Sequence, residues 1–293
     1  MKRRKFIYDS SFVALSVGVF GNIKWDGKAY VGDDPTTTDI LGPFYRPNAP
    51  FKTDLIQPGT KGEVLHFNGT VFGKDGKTPL QNALVEIWHC NENGEYDNTS
   101  DDYIYRASAK TSADGKYSFK TILPVPYAAG PTLTRPAHIH MRVSNTNLQD
   151  LVTQIYFKGD KHIAGDISAK DPSTLNRILD VKTNDKKEKL IKFDIFLKEE
   201  YVLDAAAFKK IEGLYEMQDK TMAEFYRQDD QLFAKLNGQI MEAMDYKGDN
   251  TFAGSHDYIK AKFEVLSKGG MKVAVTIKDG KAKTVEGAKL LKY

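Results

Sequence analysis

Short runs of alternating or mostly apolar residues recur along the first two thirds of the chain. Each run has the length of a β-strand, and turn signals such as Asp75-Gly76 and Asp114-Gly115 separate several of them. The runs lie at residues 64–72, 83–88, 117–122, 138–143, 153–157 and 191–197. Short strands joined by turns are typical of a β-sandwich or barrel. The sequence therefore predicts an all-β domain over residues 33–198, which we interpret as a sandwich.

A similar pattern of strand-length runs and turn signals resumes beyond residue 198. Residues 199–207 are predicted to be a linker, and 205–212 a short helix or part of that linker. Strand-like runs follow at residues 214–226, 231–236, 260–266 and 271–277, with turn signals at Asn237-Gly238, Gly269-Gly270 and Asp279-Gly280. We predict a small antiparallel, lipocalin-like β-barrel over residues 208–293. Its role stays open between capping an active site, mediating assembly and binding an apolar ligand.

The first 21 residues have the anatomy of an export signal. A basic segment, residues 2–5, precedes a short and mostly apolar run over residues 10–21 that cannot span a bilayer. The pair Arg3-Arg4 followed by Phe6-Ile7 resembles a twin-arginine signal. We therefore expect export to a periplasmic location without a stable membrane anchor. The alternative is a basic cytoplasmic tail that leads into a buried strand.

Charge and cysteine content exclude several classes of function. The formal net charge of +3 is also the net charge of residues 1–21, so the rest of the chain is close to neutral. Nothing in it predicts a basic surface for nucleic acid. The single cysteine, Cys90, excludes an intramolecular disulfide framework and any zinc or iron–sulfur site built from several cysteines.

Candidate chemistry is concentrated in the segment Arg135-Pro136-Ala137-His138-Ile139-His140. Residues i and i+2 of a strand share a face and lie ~6.6 Å apart along its axis, so these two imidazole rings can converge on one ion. Tyr96 and Tyr127 lie upstream in turn-like contexts. Two phenols and two imidazoles form a hard, anionic donor set that suits trivalent iron better than zinc, which prefers nitrogen and thiolate.

Six motifs occur in a fixed order along the chain. They are Gly42-Pro43-Phe44-Tyr45, Val85-Glu86-Ile87-Trp88-His89, Gly94-Glu95-Tyr96, Leu123-Pro124-Val125-Pro126-Tyr127, Arg135-Pro136-Ala137-His138-Ile139-His140 and Thr153-Gln154-Ile155-Tyr156-Phe157. Together they resemble the ordered signature of the intradiol ring-cleavage dioxygenases, over about residues 36–198. The resemblance implies an immunoglobulin-like or prealbumin-like β-sandwich that holds one mononuclear, non-haem Fe(III). It also implies aromatic catabolism, in which O2 cleaves a catechol-type ring between its hydroxyl carbons to give a cis,cis-muconate-type diacid.

The resemblance also implies a ligand set. Tyr96 and His138 would be equatorial ligands, Tyr127 and His140 axial ligands, and a solvent hydroxide would take the fifth place. Each phenol needs the metal in order to ionise at neutral pH, because the pKa of free tyrosine is about 10. Tyr127 would leave the metal when substrate binds and would accept a substrate proton, which makes it a catalytic residue.

Three further residues receive roles through the same resemblance. Arg135 would bind substrate and stabilise developing negative charge on the ring or on oxygen. Gln154 would donate or accept a hydrogen bond near the bound substrate. Tyr45 would line the substrate pocket. Two of these residues also have a structural interpretation, since Arg135 could simply pair with a carboxylate and Gln154 could be a structural residue.

Two alternatives stay open at this point. Related β-sandwiches serve as binding modules without a metal, so a non-catalytic binding domain is the rival function. Catechol- and hydroxyquinol-type enzymes usually carry a helical region ahead of the sandwich, and here only about twenty residues separate the leader from Gly42. The layout is closer to the iron-bearing subunit of protocatechuate-type enzymes, so a homologous partner subunit or a homo-oligomer is a further expectation.

Overall fold

The computed structural model describes residues 24–25, 30–31, 36–146, 148–198, 203–254, 258–267, 270–279 and 281–290. The predicted export signal, residues 1–21, and residues 199–202 of the predicted linker lie outside the described residues. No helix within the described ranges is long and apolar enough to cross a membrane.

Strands dominate the chain up to residue 198. They are β1 (Lys24–Trp25), β2 (Tyr30–Val31), β3 (Val64–Phe72), β4 (Leu84–Trp88), β5 (Arg106–Lys110), β6 (Lys116–Ile122), β7 (Tyr127–Ala128), β8 (Thr134–Arg135), β9 (His138–Ser144), β10 (Leu151–Phe157), β11 (Ile178–Leu179), β12 (Lys182–Thr183), β13 (Lys189–Lys192) and β14 (Ile195–Phe196). Two short 3₁₀ helices, Ile163–Gly165 and Pro172–Arg177, lie between β10 and β11.

These strands form the two layers of a β-sandwich. One five-stranded sheet has the order β11-β10-β9-β4-β5, and the other has the order β12-β13-β3-β14 with β6 paired to β3. Pairs β7–β8 and β1–β2 form separate two-stranded sheets. One hydrophobic cluster fills the space between the two large sheets and contains residues of both, among them Phe67 and Phe119 from one sheet and Ile87 and Ile155 from the other. The predicted sandwich is thereby confirmed.

Strand β9 contributes to both faces of its sheet. Ile139, Met141 and Val143 belong to the core cluster and are 0% exposed. Because side chains alternate along a strand, the residues between them point to the opposite face. That face carries His138 and His140, and it is buried as well, with both histidines 1% exposed.

The second half of the described chain is a helix followed by a closed barrel. The helix α1 (Ala205–Ile211) begins at Asp204, whose carboxylate accepts hydrogen bonds from the N–H groups of Ala206 and Ala207. The barrel strands are β15 (Gly213–Met217), β16 (Met222–Gln228), β17 (Gln231–Leu236), β18 (Gln239–Tyr246), β19 (Thr251–Gly254), β20 (Ile259–Val265), β21 (Met271–Asp279) and β22 (Lys281–Lys289). Consecutive strands pair antiparallel, and β22 closes the barrel on β15. The predicted antiparallel barrel is thereby confirmed.

Two details of the predicted barrel were wrong. The run at 214–226 was treated as one strand, but it is β15 and β16 joined by a tight turn in which the Lys220 N–H donates to the Met217 carbonyl. Strands β18, β19 and β22 were not predicted. Strand β22 holds glycine, alanine and lysine at most positions, so it lacks the apolar alternation by which a strand is recognised.

The barrel interior is filled with side chains. The rings of Tyr215, Phe225, Phe252 and Phe263 contact one another at centroid distances of 5.1 to 5.8 Å. Helix α1 adds buried Phe208 to the same cluster. Small barrels of eight strands are commonly filled in this way. A packed aromatic interior argues against apolar ligand binding within the barrel, one of the roles left open for this domain.

Candidate metal centre

Two imidazole nitrogens face each other on the outer face of β9. The Nε2 atoms of His138 and His140 lie 3.2 Å apart. The Nδ1 of His138 lies 2.6 Å from the Pro136 carbonyl oxygen. A carbonyl can only accept a hydrogen bond, so Nδ1 carries the proton and Nε2 presents a lone pair. This is the form in which a histidine binds a metal ion.

Tyr96 reaches the same point from a turn. The Asn91 side-chain oxygen accepts hydrogen bonds from the backbone N–H groups of Asn93 and Glu95 and so shapes the chain just ahead of the tyrosine. The Tyr96 hydroxyl lies 3.3 Å from His138 Nε2. Three donor atoms from two distant segments therefore meet within a space that one ion can bridge.

Tyr127 completes the group. It pairs with Arg135 in the β7–β8 hairpin, and its ring centroid lies 5.5 Å from that of Tyr96 and 5.6 Å from that of His138. Gly94 makes this approach sterically feasible. It has a φ of 81°, and a Cβ at this position would lie 2.8 Å from the Tyr127 Cβ. The structure thus brings together all four residues that the sequence proposed as metal ligands.

Burial sets the protonation states of the four residues in the absence of a cation. Burial, and then the positive charge of Arg135, lower the pKa of His138 to about 3. Burial lowers the pKa of His140 well below its ordinary value, so both imidazoles are neutral. Burial also raises the pKa values of Tyr96 and Tyr127. The phenols are therefore protonated unless a nearby cation stabilises their anions.

The donor set fits a trivalent metal ion. Metal–imidazole bonds of about 2.0–2.1 Å can span two nitrogens 3.2 Å apart, and phenolate is a hard anionic ligand. Among the described residues, no group of three or more histidines, cysteines, aspartates or glutamates could hold a metal ion. The pair of histidines with the pair of tyrosines is therefore the candidate centre in this part of the chain, and it matches the chemistry of Fe(III).

Arg135 lies beside this centre with its charge compensated. Its Nε donates to Asp166 Oδ2 at 2.8 Å, and its Nη2 donates to Asp166 Oδ1 at 3.2 Å. Nη2 also donates to Gln154 Oε1 at 3.1 Å and to the Tyr156 hydroxyl at 3.3 Å. These bonds engage Nε and Nη2 of the guanidinium and hold it beside the centre.

A second buried ion pair supports the first. Arg177 donates through Nη1 to the carboxylate of Asp39, and the Tyr156 hydroxyl donates to Asp39 Oδ2 at 3.0 Å. The Ser168 hydroxyl donates to the other carboxylate oxygen of Asp39. Tyr156 therefore links the Arg135 group to the Arg177 group. Residues brought together from such separate parts of the sequence carry no local pattern by which they could be predicted.

Two of the predicted substrate contacts differ in the structure. Gln154 Oε1 accepts from Arg135, and its Nε2 donates to the Ile40 carbonyl at 2.6 Å, so both ends of the amide hold protein groups. Tyr45 is 5% exposed, and its hydroxyl lies 3.4 Å from Glu86 and accepts from Gln228 Nε2 at 3.0 Å. Tyr45 therefore contacts the barrel and does not line the candidate centre. The barrel covers the part of the sheet's outer face where Tyr45 lies.

The sequence did not identify two residues that contact this group. Trp88 was given no role at the site, and its buried ring lies parallel to that of His140 at a centroid distance of 4.9 Å. Tyr156 pairs with His138 across β9 and β10, and Gln154 pairs with His140. The i, i+2 argument that identified the histidines applies equally to Gln154 and Tyr156, so Tyr156 could have been predicted.

The chain is similar to known proteins. A protein-family model described as Dioxygenase matches residues 40–199, slightly more than half of the chain. Catechol 1,2-dioxygenase 2 of Acinetobacter lwoffii is 39% identical over 156 residues, which cover 47% of this chain and 56% of that protein. Chlorocatechol 1,2-dioxygenase of Rhodococcus opacus is 32% identical over 164 residues, which cover 48% of this chain and 63% of that protein.

A solved structure resembles the fold as well. The crystal structure of catechol 1,2-dioxygenase from Pseudomonas arvilla C-1 superposes with a TM-score of 0.51 and 26% sequence identity, covering 68% of this chain and 69% of that chain. The chain spans about half to two thirds of the length of the curated relatives named above.

The Arg135–Asp166 pair generates a stability prediction. Asp166→Asn removes one partner of a buried ion pair and leaves Arg135 uncompensated, which should lower the free energy of unfolding at pH 7 by about 3–5 kcal/mol. Asp180→Asn is the matched control, because the Lys158–Asp180 pair is 68% and 71% exposed and should contribute about 0–1 kcal/mol. Chemical denaturation of both variants measures the difference. Equal losses would contradict the assignment.

The same pair predicts a pH dependence. Burial raises the pKa of Asp166, but hydrogen bonds and charge from Arg135 outweigh this effect and hold its pKa below the ordinary value. A carboxylate with a depressed pKa stabilises the fold above its unfolded pKa, about 3.9, and this contribution is lost as the pH falls through the folded value. The stability difference between the parent and Asp166→Asn should therefore shrink below about pH 4. A difference that stays constant would show that Asp166 is not ionised in the fold.

Proposed function

The chain belongs to the intradiol ring-cleavage dioxygenase family, and from that premise we propose that it uses Fe(III) and O2 to cleave catechol-type rings. The bond broken lies between the two hydroxyl-bearing carbons, and the product is a cis,cis-muconate-type diacid. Both oxygen atoms of O2 enter the product, so the reaction consumes one O2 per ring and needs no added reductant. The printed names of the relatives, catechol and chlorocatechol 1,2-dioxygenase, support a catechol-type substrate.

One observation carries this proposal. The Tyr96 hydroxyl and His140 Nε2 both lie within 3.3 Å of His138 Nε2, with the Tyr127 ring beside them. These four residues would hold the ion. Bound Fe(III) would supply Lewis acidity toward the two substrate oxygens and the electronic coupling to O2 that ring cleavage requires.

Tyr127 is suited to receive a proton from the substrate. Its ring is half-buried, and the next residues of the hairpin, Ala128 and Ala129, are exposed, so it lies at the solvent side of the centre. Burial raises the pKa of its phenol, so a Tyr127 anion released from a cation is a strong base. It would take the proton of one catechol hydroxyl at its own phenolic oxygen, which allows the substrate to bind as an anion.

Arg135 favours the ligand form of all four residues. Its positive charge lowers the pKa values of both phenols, which promotes their ionisation, and it lowers those of His138 and His140, which keeps the imidazoles neutral. Asp166 and Gln154 fix the guanidinium in place. A fixed cation at this position also stabilises negative charge that develops on the substrate ring.

Phe44 and Gly42 cover one side of the centre. Phe44 stacks on Tyr96 with a centroid distance of 4.3 Å and an interplanar angle of 17°. Gly42 lies above His140, where a Cβ would be 3.3 Å from the imidazole Cε1, and its φ of 74° favours glycine. The motif that begins at Gly42 therefore covers one phenol and one imidazole together.

Oxygen consumption by the iron-loaded full chain tests the proposed function. We expect a red-brown protein, from charge transfer between phenolate and Fe(III), that consumes one O2 per molecule of a productive catechol. A panel of catechol, protocatechuate, hydroxyquinol and halogenated or alkylated catechols would define the substrate, with mass spectrometry of the diacid as the second measurement. A chain that stays colourless after iron loading and consumes no oxygen would instead be a binding module.

A substitution at one ligand tests the site. His140→Ala should lose most of the bound iron, because it removes one of four protein ligands and with it a large part of the binding free energy. Iron per chain, measured by elemental analysis, gives the result. His162→Ala is the control, since His162 is half-buried at the start of a 3₁₀ helix and makes no side-chain capping bond there. Full iron occupancy in His140→Ala would contradict the ligand set.

We also propose that the chain is exported through the twin-arginine route, which carries folded proteins and so permits iron loading before export. The support is the sequence Arg3-Arg4-Lys5-Phe6-Ile7 ahead of a short apolar run. Replacing both arginines by lysine preserves the charge and should retain the chain in the cytoplasm, as measured by cell fractionation. An unchanged periplasmic fraction would contradict this route.

A further inference from the structure

The barrel covers the same sheet face that carries the candidate centre. His138, His140 and Arg142 alternate along β9 and therefore lie in one row on its outer face. Arg142 donates to Glu86 at 2.9 Å and to Asp150 at 2.6 Å within the sandwich. It also donates at 2.5 Å to Asp229, in the turn between β16 and β17. The contact between the two domains thus begins at Arg142, two residues along β9 from His140.

Further polar contacts fix the barrel against the sandwich. Gln231 donates through Nε2 to the Asp150 carbonyl at 3.3 Å, and Gln239 donates to the Pro43 carbonyl at 3.1 Å. The second of these bonds holds the residue next to Phe44, whose ring stacks on Tyr96. The first residues of β17 and β18 therefore both contact the sandwich, and the bond from Gln239 reaches a segment that borders the centre.

A row of aromatic rings runs from the barrel to the metal ligand. The Phe233 ring in β17 lies 5.7 Å from that of Tyr45, and the Tyr45 ring lies 5.0 Å from that of Trp88. Trp88 in turn lies parallel to His140, with an interplanar angle of 7°. Phe233, Tyr45 and Trp88 belong to one buried hydrophobic cluster that contains residues of both domains.

Packing alone orients the last two rings of this row. His140 Nδ1 and Trp88 Nε1 are buried, and neither has a hydrogen-bond partner among the described residues. His138 differs, since its Nδ1 donates to Pro136. Metal-binding histidines usually have such a bond to fix the ring, and loss of it typically costs 10–100-fold in metal affinity or activity. For His140, the flat contact with Trp88 takes that place.

We propose that the C-terminal barrel is a positioning element of the metal centre: Phe233 and Gln228 hold Tyr45 against Trp88, and Trp88 fixes the plane of the His140 imidazole. This inference rests on the proposed function, because it assigns His140 to the metal. It gives the barrel a role in the catalytic site through the rings that lie between the barrel and His140. Phe233, Gln228, Tyr45 and Trp88 are positioning residues rather than catalytic ones.

Two matched substitutions in the barrel test the proposal. Phe233→Leu shortens the row of rings at the domain contact, and Phe263→Leu makes the same change inside the barrel. Both phenylalanines are buried, at 0% and 1% exposure, so the two variants remove similar packing. Gln228→Ala is a milder third variant that removes only the hydrogen bond to Tyr45. It serves if Phe233→Leu does not fold.

Two measurements follow the effect along the row. Trp25 and Trp88 are the two tryptophans of the chain, so Trp25→Phe leaves Trp88 as a single fluorescent reporter. In metal-free protein, Phe233→Leu should shift Trp88 emission and increase its quenching by acrylamide, and Phe263→Leu should change neither. In iron-loaded protein, Phe233→Leu should release iron to a chelator about tenfold faster and shift the charge-transfer band, because the contact that orients the His140 ring is weakened.

The outcomes separate this inference from the proposed function. Equal effects of Phe233→Leu and Phe263→Leu on Trp88 emission would overturn the positioning role, as would iron release from Phe233→Leu at the parent rate. If the parent chain binds no Fe(III), the proposed function fails. The emission of Trp88 in metal-free protein then still decides whether the barrel orients this ring.

Discussion

The register of β9 between β4 and β10 is the constraint on which the rest of the structure depends. Cross-strand pairing places Trp88 and Gln154 on either side of His140 and Tyr156 beside His138. Because side chains alternate, a slip of one residue would move both histidines into the core and move the apolar residues of β9 to the ligand face. The fold and the centre are therefore specified together, since burial of the core face fixes the position of the ligand face.

Electrostatics at the centre depend on one buried cation. Arg135 lies close to four groups that must be deprotonated to bind a metal, and a positive charge favours that state for phenols and imidazoles alike. A buried guanidinium is itself costly unless it is paired, and Asp166 supplies the pair. The carboxylate lies on the side of the guanidinium engaged by Nε and Nη2. Asp166 thus compensates the charge without occupying a position at the four ligands.

Much of the fold and of the candidate site could be predicted because the necessary information is local. His138 and His140 share a face through strand periodicity alone, and the turn ahead of Tyr96 is evident from Asn93-Gly94. The support of the site could not be predicted in this way. Arg177 and Asp39 pair across 138 residues, and Tyr45 contacts Gln228 across 183 residues. Such pairs form only when distant parts of the chain pack together, so no local periodicity or spacing predicts them.

The two histidines of the centre are oriented in different ways, one by a local contact and the other by contacts with distant residues. His138 donates its hydrogen bond to a carbonyl two residues away, so its orientation follows from the local chain itself. His140 relies on its stacking with Trp88 and on a row of contacting rings that ends in the second domain. A flexible domain could not keep these rings in place. This barrel is closed on itself, and its interior is packed with aromatic rings. A close-packed interior is hard to compress, so the barrel can restrict the movement of side chains on the sheet face that it covers. The sandwich thus supplies all four ligands, and the barrel supplies part of what keeps one of them in place.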